Sequence, residues 1–407
     1  MSTTDAVHKW VEPRRLRWAR TRLHLAIQDV EARSAHLPGG SDSYRTVSAD
    51  TLAAWEDGRL SPCMAELETL ATIYDCPVGY FFLDEPPAES QELSFRGLDR
   101  TKSDQLSPGT LTSLERFKFL AAWFGNLVED LGVDWPVTVG SAHPNDPPAE
   151  VARRERARLG FSPEVRGAWT NASEAFHWWR YAVERLGVFV FELKLNPDDA
   201  RGAALWASGT PPCILVNRYD AESAAGREFS LLHEYVHLTM TRHGYVCDMR
   251  GTGEEAELET FANDVAAKML VQDDDLDAVL ESIGLDALDV GRQYRWTAAE
   301  IDRLRRPLCV SRDVVAILLE RRNLAPPGFY RQQRSRWESR PRGVGWARGG
   351  TTRSQRVLRE IGYSGSRLLS SESASSLSPL DVGELLNVKV EHLDEVLAEL
   401  RQGSRQA

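Results

Sequence analysis

The chain is poor in the features that would place it outside a reducing, aqueous interior. It has five cysteines in 407 residues (Cys63, Cys76, Cys213, Cys247 and Cys309), none closely spaced, which excludes a disulfide-stapled secreted scaffold. No apolar run reaches the roughly 18 residues that a membrane-spanning helix needs, and the opening MSTTDAVHKWVEPRRLRWAR lacks an apolar leader core. A cytoplasmic protein with no membrane partner is expected. Positive charge is also short: the formal net charge is −11, which excludes indiscriminate coating of nucleic acid. Any DNA contact must be local. No repeat of fixed period is present.

Proline-rich breaks at LDEPPAES and SAHPNDPPAE, and an Arg/Gly-rich stretch at SRPRGVGWARGG, divide the chain. The reading is an N-terminal module over 10–90, a helical spacer or linker over 91–160, a central body over 161–330, a linker over 331–350 and a C-terminal helical segment over 351–407. The central body opens on a helical pattern, ASEAFHWWRYAVERLG, followed by two β-like runs, VFVFEL (188–193) and PCILVN (212–217), and then by long helical patterns. The expected class is α+β and mainly helical, with a small sheet under several helices.

The chemistry is concentrated in LLHEYVHLTM (231–240). Phe229, Leu232, Val236 and Met240 recur at helical spacing, so the stretch is expected to be a helix. His233 and His237 then lie one turn apart on one side, where both imidazoles can reach one ion, and Glu234 projects beside them. With nine histidines in the chain the pattern is seldom accidental, but it needs a third ligand. EEAELETFANDVAAKML (254–270) is a second amphipathic helix, in which Glu259 shares a side with the small Ala262 and Ala266. Close helix approach would let Glu259 complete the site, with Asn263 one turn on as a supporting partner. Glu257 is the alternative ligand, and Glu254 and Glu255 read as an ordinary acidic first turn.

REFSLLHEYVHLTM, the ExxANDVA that begins at Glu259, and the upstream PPCILVN resemble the ImmA/IrrE family of zinc metallopeptidases, over roughly residues 165–330. CVSRDVVAILLERRNL is similar to that family's closing helical segment. Val265 stands where the family usually has an aromatic, and KMLVQDDD lacks its following proline. The resemblance implies a zincin-like domain with Zn2+ on His233, His237 and Glu259, hydrolysis of a peptide bond, and Glu234 moving the proton. His243 and Tyr245 are possible donors to the oxyanion, and Cys247 a possible regulatory thiolate; solvent-facing loop residues and a buried thiol are the plainer readings.

Upstream, RLRWARTRLHLAIQDVEA, the WEDG of Trp55, Glu56 and Gly58, Pro62, and the closing LATIYDCPVGYFF resemble the XRE family of helix-turn-helix DNA-binding domains over roughly 14–85. The resemblance implies that a helix beginning near Ser48 faces the major groove, with Ala49, Asp50 and Thr51 nearest the bases, and that Arg14 and Arg15, with Arg17, Arg20 and Arg22, meet phosphates. A long SAHLPGGSDSYRT connection and the acids Asp50, Glu56 and Asp57 depart from that pattern, leaving dimerisation or partner docking open. SPLDVGELLNVKVEHLDEVLAEL reads as a packing or partner-binding helix pair. Together these features point to a regulatory protein that joins an XRE-like module to a zinc endopeptidase, acting on a protein substrate such as a transcriptional repressor and possible as a homodimer. The alternative is a DNA-binding regulator whose metallopeptidase-like domain is a non-catalytic sensor or scaffold.

Overall fold

A computed structural model describes residues 11–22, 25–36, 45–74, 78, 81, 106–196, 199–206, 209–218, 224–240, 254–285, 295–338, 352–371 and 377–406. His243, Tyr245 and Cys247, residues 339–350 of the expected linker and most of the SAHLPGGSDSYRT connection lie outside the described residues; residues 331–338, also expected to be linker, are helical. The chain forms two compact units, Met1–Arg116 and Phe117–Ala407.

In the first unit, α1 (Pro13–Arg22), α2 (Ile27–His36), α3 (Ala49–Glu56) and α4 (Met64–Tyr74) enclose a core of Leu16, Ala19, Leu52, Trp55, Leu67, Leu70, Tyr74 and Phe81. Ser48 starts α3: its Oγ accepts the Thr51 N–H at 3.2 Å, satisfying one of the donors a helix start leaves open. Helix α5 (Pro108–Asp130) matches the expected spacer helix, and the boundary between the two units falls within it.

The second unit is built on α6 (Pro148–Leu159), the short α7 (Pro163–Gly167), α8 (Ala172–Glu184) and a three-stranded sheet of β1 (Phe189–Leu193), β2 (Gly202–Leu205) and β3 (Cys213–Asn217). The strand order is β1-β3-β2, with β1 parallel and β2 antiparallel to the central β3. Both runs read as strands from the sequence are strands. Every residue of all three strands is buried, because helices cover both faces. On one face Val190, Ala204, Ile214 and Val216 join the main core. On the other, Phe189 and Phe191 meet Phe124 and Phe117 of α5 at centroid distances of 5.1 and 6.0 Å, and Trp135 stacks on Phe189 at 4.8 Å.

Next come α9 (Ala224–Met240), α10 (Glu254–Leu270), α11 (Asp273–Ser282), α12 (Ala298–Leu308), α13 (Arg312–Arg321) and α14 (Phe329–Glu338). The C-terminal part holds α15 (Arg353–Leu369), α16 (Pro379–Leu386) and α17 (Leu393–Gln406), so the expected helix pair is present. Residues 352–406 do not form a unit of their own: α15 packs against β1 and α8. It is kinked at Gly362, whose φ of +73° is left-handed and costs an L side chain what it does not cost glycine.

Candidate metal centre

Helix α9 is buried on nearly every side. Leu231, Leu232, Tyr235, Val236 and Leu238 lie in the main core, and Glu228, Ser230, His233, Glu234, His237 and Thr239 are buried polar residues on the same helix. Phe229 and Met240 of the expected stripe are only half-buried. A helix enclosed all round is held by packing rather than by one amphipathic stripe. Its polar groups must then find partners or serve a purpose. On its far side the Tyr235 hydroxyl donates to Glu155 Oε2 of α6 at 2.8 Å, and Arg154 and Arg158 hold the same carboxylate at 3.1 and 3.0 Å.

Helix α10 packs on α9, and its Ala262 and Ala266 are both fully buried. Alanines at the crossing let the backbones approach closely. Glu259 is thereby brought to both histidines: its Oε2 lies 3.2 Å from His233 Nε2 and its Oε1 lies 3.3 Å from His237 Nε2. The two Nε2 atoms are 3.0 Å apart. One ligand atom from each residue lies within 4.8 Å of the others, and they form the one group of potential metal-holding side chains among the described residues. Glu257 belongs to no such group.

The protonation states suit a cation. Burial disfavours a charged imidazole and carries His237 down to about 4, although the Glu259 carboxylate pulls the other way and His233 pushes further down. For Glu259 burial alone would raise the pKa, but hydrogen bonds and charge from His233 and then His237 outweigh it and hold the group well below the usual carboxylate range. At neutral pH this gives a neutral His237 and an ionised Glu259, the forms that ligate metal. Two imidazoles and one carboxylate are a zinc donor set, and three protein ligands leave a position open, as catalytic sites do and closed structural sites do not. The residues fit the ion.

Glu234 is 1% exposed and rests against β2 at Gly202. A Cβ there would stand 2.7 Å from Glu234 Oε1 and 2.9 Å from the Leu215 carbonyl oxygen, closer than side-chain carbons come. Gly202 is therefore part of the site, and the sequence reading missed it. The signal was a glycine opening a short strand, which often marks a close backbone approach. Asn263 is half-buried on α10, one turn from Glu259.

The N-terminal residues singled out for DNA are dispersed in role. Arg14 is exposed, whereas Arg15 is buried at 6% exposure. Ser48 is occupied as the cap of α3, its hydroxyl 2.8 Å from that of Thr51. Asp50 is exposed, and Ala49 and Thr51 are half-buried. Arg20 makes a two-pronged ion pair with Glu56 at 2.7 and 2.8 Å, and Arg17 binds Asp57 at 2.8 Å. Much of the basic stretch is thus neutralised within its own unit.

No curated protein and no solved structure matches the chain. Residues 183–315, which contain the whole sheet, His233, Glu234, His237 and Glu259 but none of α15 to α17, match the family model described as the IrrE N-terminal-like domain (Peptidase_M78), so this span is similar to a metallopeptidase family.

Proposed function

We propose that the chain is a zinc-dependent endopeptidase of the cytoplasm that cleaves a protein partner such as a transcriptional repressor. The observation that carries this reading is the convergence of His233, His237 and Glu259 from two helices within 4.8 Å, with Glu234 buried on the same helix. A zinc ion held by those three residues supplies Lewis acidity toward a scissile carbonyl and toward water. Glu234 takes the proton of the attacking water on its carboxylate and hands it to the leaving amine. Gly202 holds that carboxylate in place by giving it room.

The sheet supplies a track for the substrate. The Asn217 N–H bonds to the Arg201 carbonyl at 2.9 Å, so by the alternation of an antiparallel ladder Gly202 and Ala204 turn their N–H and C=O groups away from β3. Among the described residues no strand occupies that edge of β2. An extended peptide segment added there would run beside Glu234. For the N-terminal unit, the resemblance to XRE domains and the exposed Arg14 support DNA contact. The pairing of Arg17 and Arg20 with Asp57 and Glu56 favours docking of a partner or of a second copy.

Metal content by elemental mass spectrometry, with peptide-library cleavage read by mass spectrometry, tests the reading. Wild type should hold about one zinc per chain; His233→Ala and Glu259→Ala should lose it, and Glu234→Gln should keep it while losing cleavage. A zinc-loaded wild type whose cleavage profile equals that of Glu234→Gln would leave a sensor or scaffold in place of an enzyme.

A further inference from the structure

A chain of buried charges connects the C-terminal segment to the metal helix. Arg180 of α8 is 2% exposed and donates through Nη1 to the Arg359 carbonyl of α15 at 2.9 Å and to Glu192 Oε1 of β1 at 2.5 Å. Glu192 gives its other oxygen to Arg227 of α9 at 2.7 Å. Arg227 also lies over the Phe176 ring of α8 at 4.5 Å, and it precedes His233 by fewer than two helical turns. The same part of α15 is fastened a second time. The backbone N–H groups of Tyr363 and Ser364 donate to the Glu184 carboxylate at 3.2 and 3.3 Å, and the Ser364 hydroxyl donates to the carbonyls of Val188 and Glu184 at 3.2 and 3.3 Å.

We infer that α15, which lies outside the span matched to the metallopeptidase family, sets the position of the metal helix, with Arg180, Glu192 and Arg227 as positioning residues. This rests on the zinc reading proposed above. Glu192 is completely buried, so its two oxygens rely on both guanidinium partners, and losing either is costly. Arg180 is held at that carboxylate partly by the Arg359 carbonyl. Lifting α15 away therefore removes an acceptor from Arg180, two donors from the Glu184 carboxylate and the Ser364 hydroxyl from the carbonyls of Val188 and Glu184. Arg180 then keeps Glu192, the Val190 carbonyl and Glu184 as partners but loses the acceptor that fixes its outer side, and Glu192 passes that shift to Arg227 and the first turns of α9. The kink at Gly362 is what lets α15 come this close: a Cβ there would run into Glu184 and Arg180 and would stand 2.8 Å from the Val190 carbonyl oxygen.

The test uses the full chain. Gly362→Val should weaken zinc binding at least tenfold, the low end of the effect of losing a group that orients ligands, as measured by competition with a chromophoric chelator. Amide hydrogen exchange should quicken across 353–369 and also across 231–237. Arg227→Met, which cuts only the α9 end, should weaken zinc binding similarly, and the double variant should be no worse than the weaker single variant, since both break one connection. Faster exchange confined to 353–369 with unchanged zinc affinity would overturn the coupling. If Gly362→Val does not fold, Arg227→Met decides alone: unchanged zinc affinity and unchanged exchange in α9 would overturn it. Wild type that takes up no zinc would sink the metal reading, while exchange in α9 would still decide this one.

Discussion

A methyl group added at Gly202 has nowhere to go without moving Glu234 or the backbone of β3 at Leu215. The glutamate is the end of a flexible side chain and gives way more easily than a carbonyl in a buried strand. Gly202→Ala should therefore leave the zinc content at wild-type level, because His233, His237 and Glu259 do not touch it, and should lower peptide cleavage by about a hundredfold, the cost of misplacing a reacting group by roughly an ångström. Elemental analysis and a cleavage assay on the same preparation check both halves; a variant that cleaves at the wild-type rate would mean that Glu234 does not act from this position. The cluster of His233, His237 and Glu259 is legible in the sequence because helical spacing alone puts His233 and His237 on one side, and because the small Ala262 and Ala266 share a side with Glu259. Gly202 was faint in the sequence because its partner Glu234 lies 32 residues further along the chain, and the strand GAAL has no β-branched or aromatic residue to announce it.

At the scale of elements, α8, β1 and α15 share a core that contains full charges, and that makes their packing depend on pH. Burial raises Glu184 from the ordinary 4.5 to about 7, against the opposing pull of Arg180 and of the backbone N–H groups that it accepts. Between these two values the folded chain holds a proton that the unfolded chain has released. Stability from this group is thus fullest below 4.5 and is lost as pH rises toward about 7. The loss is on the order of 3 kcal/mol at most, taking about 1.4 kcal/mol for each unit of pKa. Glu184→Gln removes the titration. Its melting temperature relative to wild type should climb between about pH 5 and pH 8; a difference that stays flat with pH would mean Glu184 is ionised throughout. Sequence patterns give no hint of this arrangement. Arg180 and Glu184 sit four apart on a helix and look like a surface pair, and nothing in ASEAFHWWRYAVERLG says that a segment 179 residues further on will bury them. In the first unit Arg15 behaves likewise, reading as a basic surface residue and lying in the core.

For the whole molecule, the span similar to the metallopeptidase family and the unit that folds are different lengths of chain. Residues 183–315 hold the sheet, the site and the helices on one face, but not what covers the other face. The aromatic face of β1 is closed by Phe117 and Phe124 of α5 and by Trp135, and the outer edge of β1 is closed by α15. The side of α9 that carries Tyr235 is anchored to Glu155 of α6. Cutting at the ends of the family span would expose two phenylalanines on one strand face and remove Arg180, the buried ion-pair partner of Glu192 and Glu184. Each buried large side chain is worth about 1.5 to 3 kcal/mol and each orphaned buried charge several more, against a total stability of roughly 5 to 15 kcal/mol. A chain limited to 183–315 should consequently lack a cooperative melting transition and near-ultraviolet circular dichroism, whereas Phe117–Ala407 should show both and bind zinc. If the short span instead melts cooperatively with native aromatic signals, the flanking helices are additions to a self-sufficient domain, and the position of α9 is set from within it.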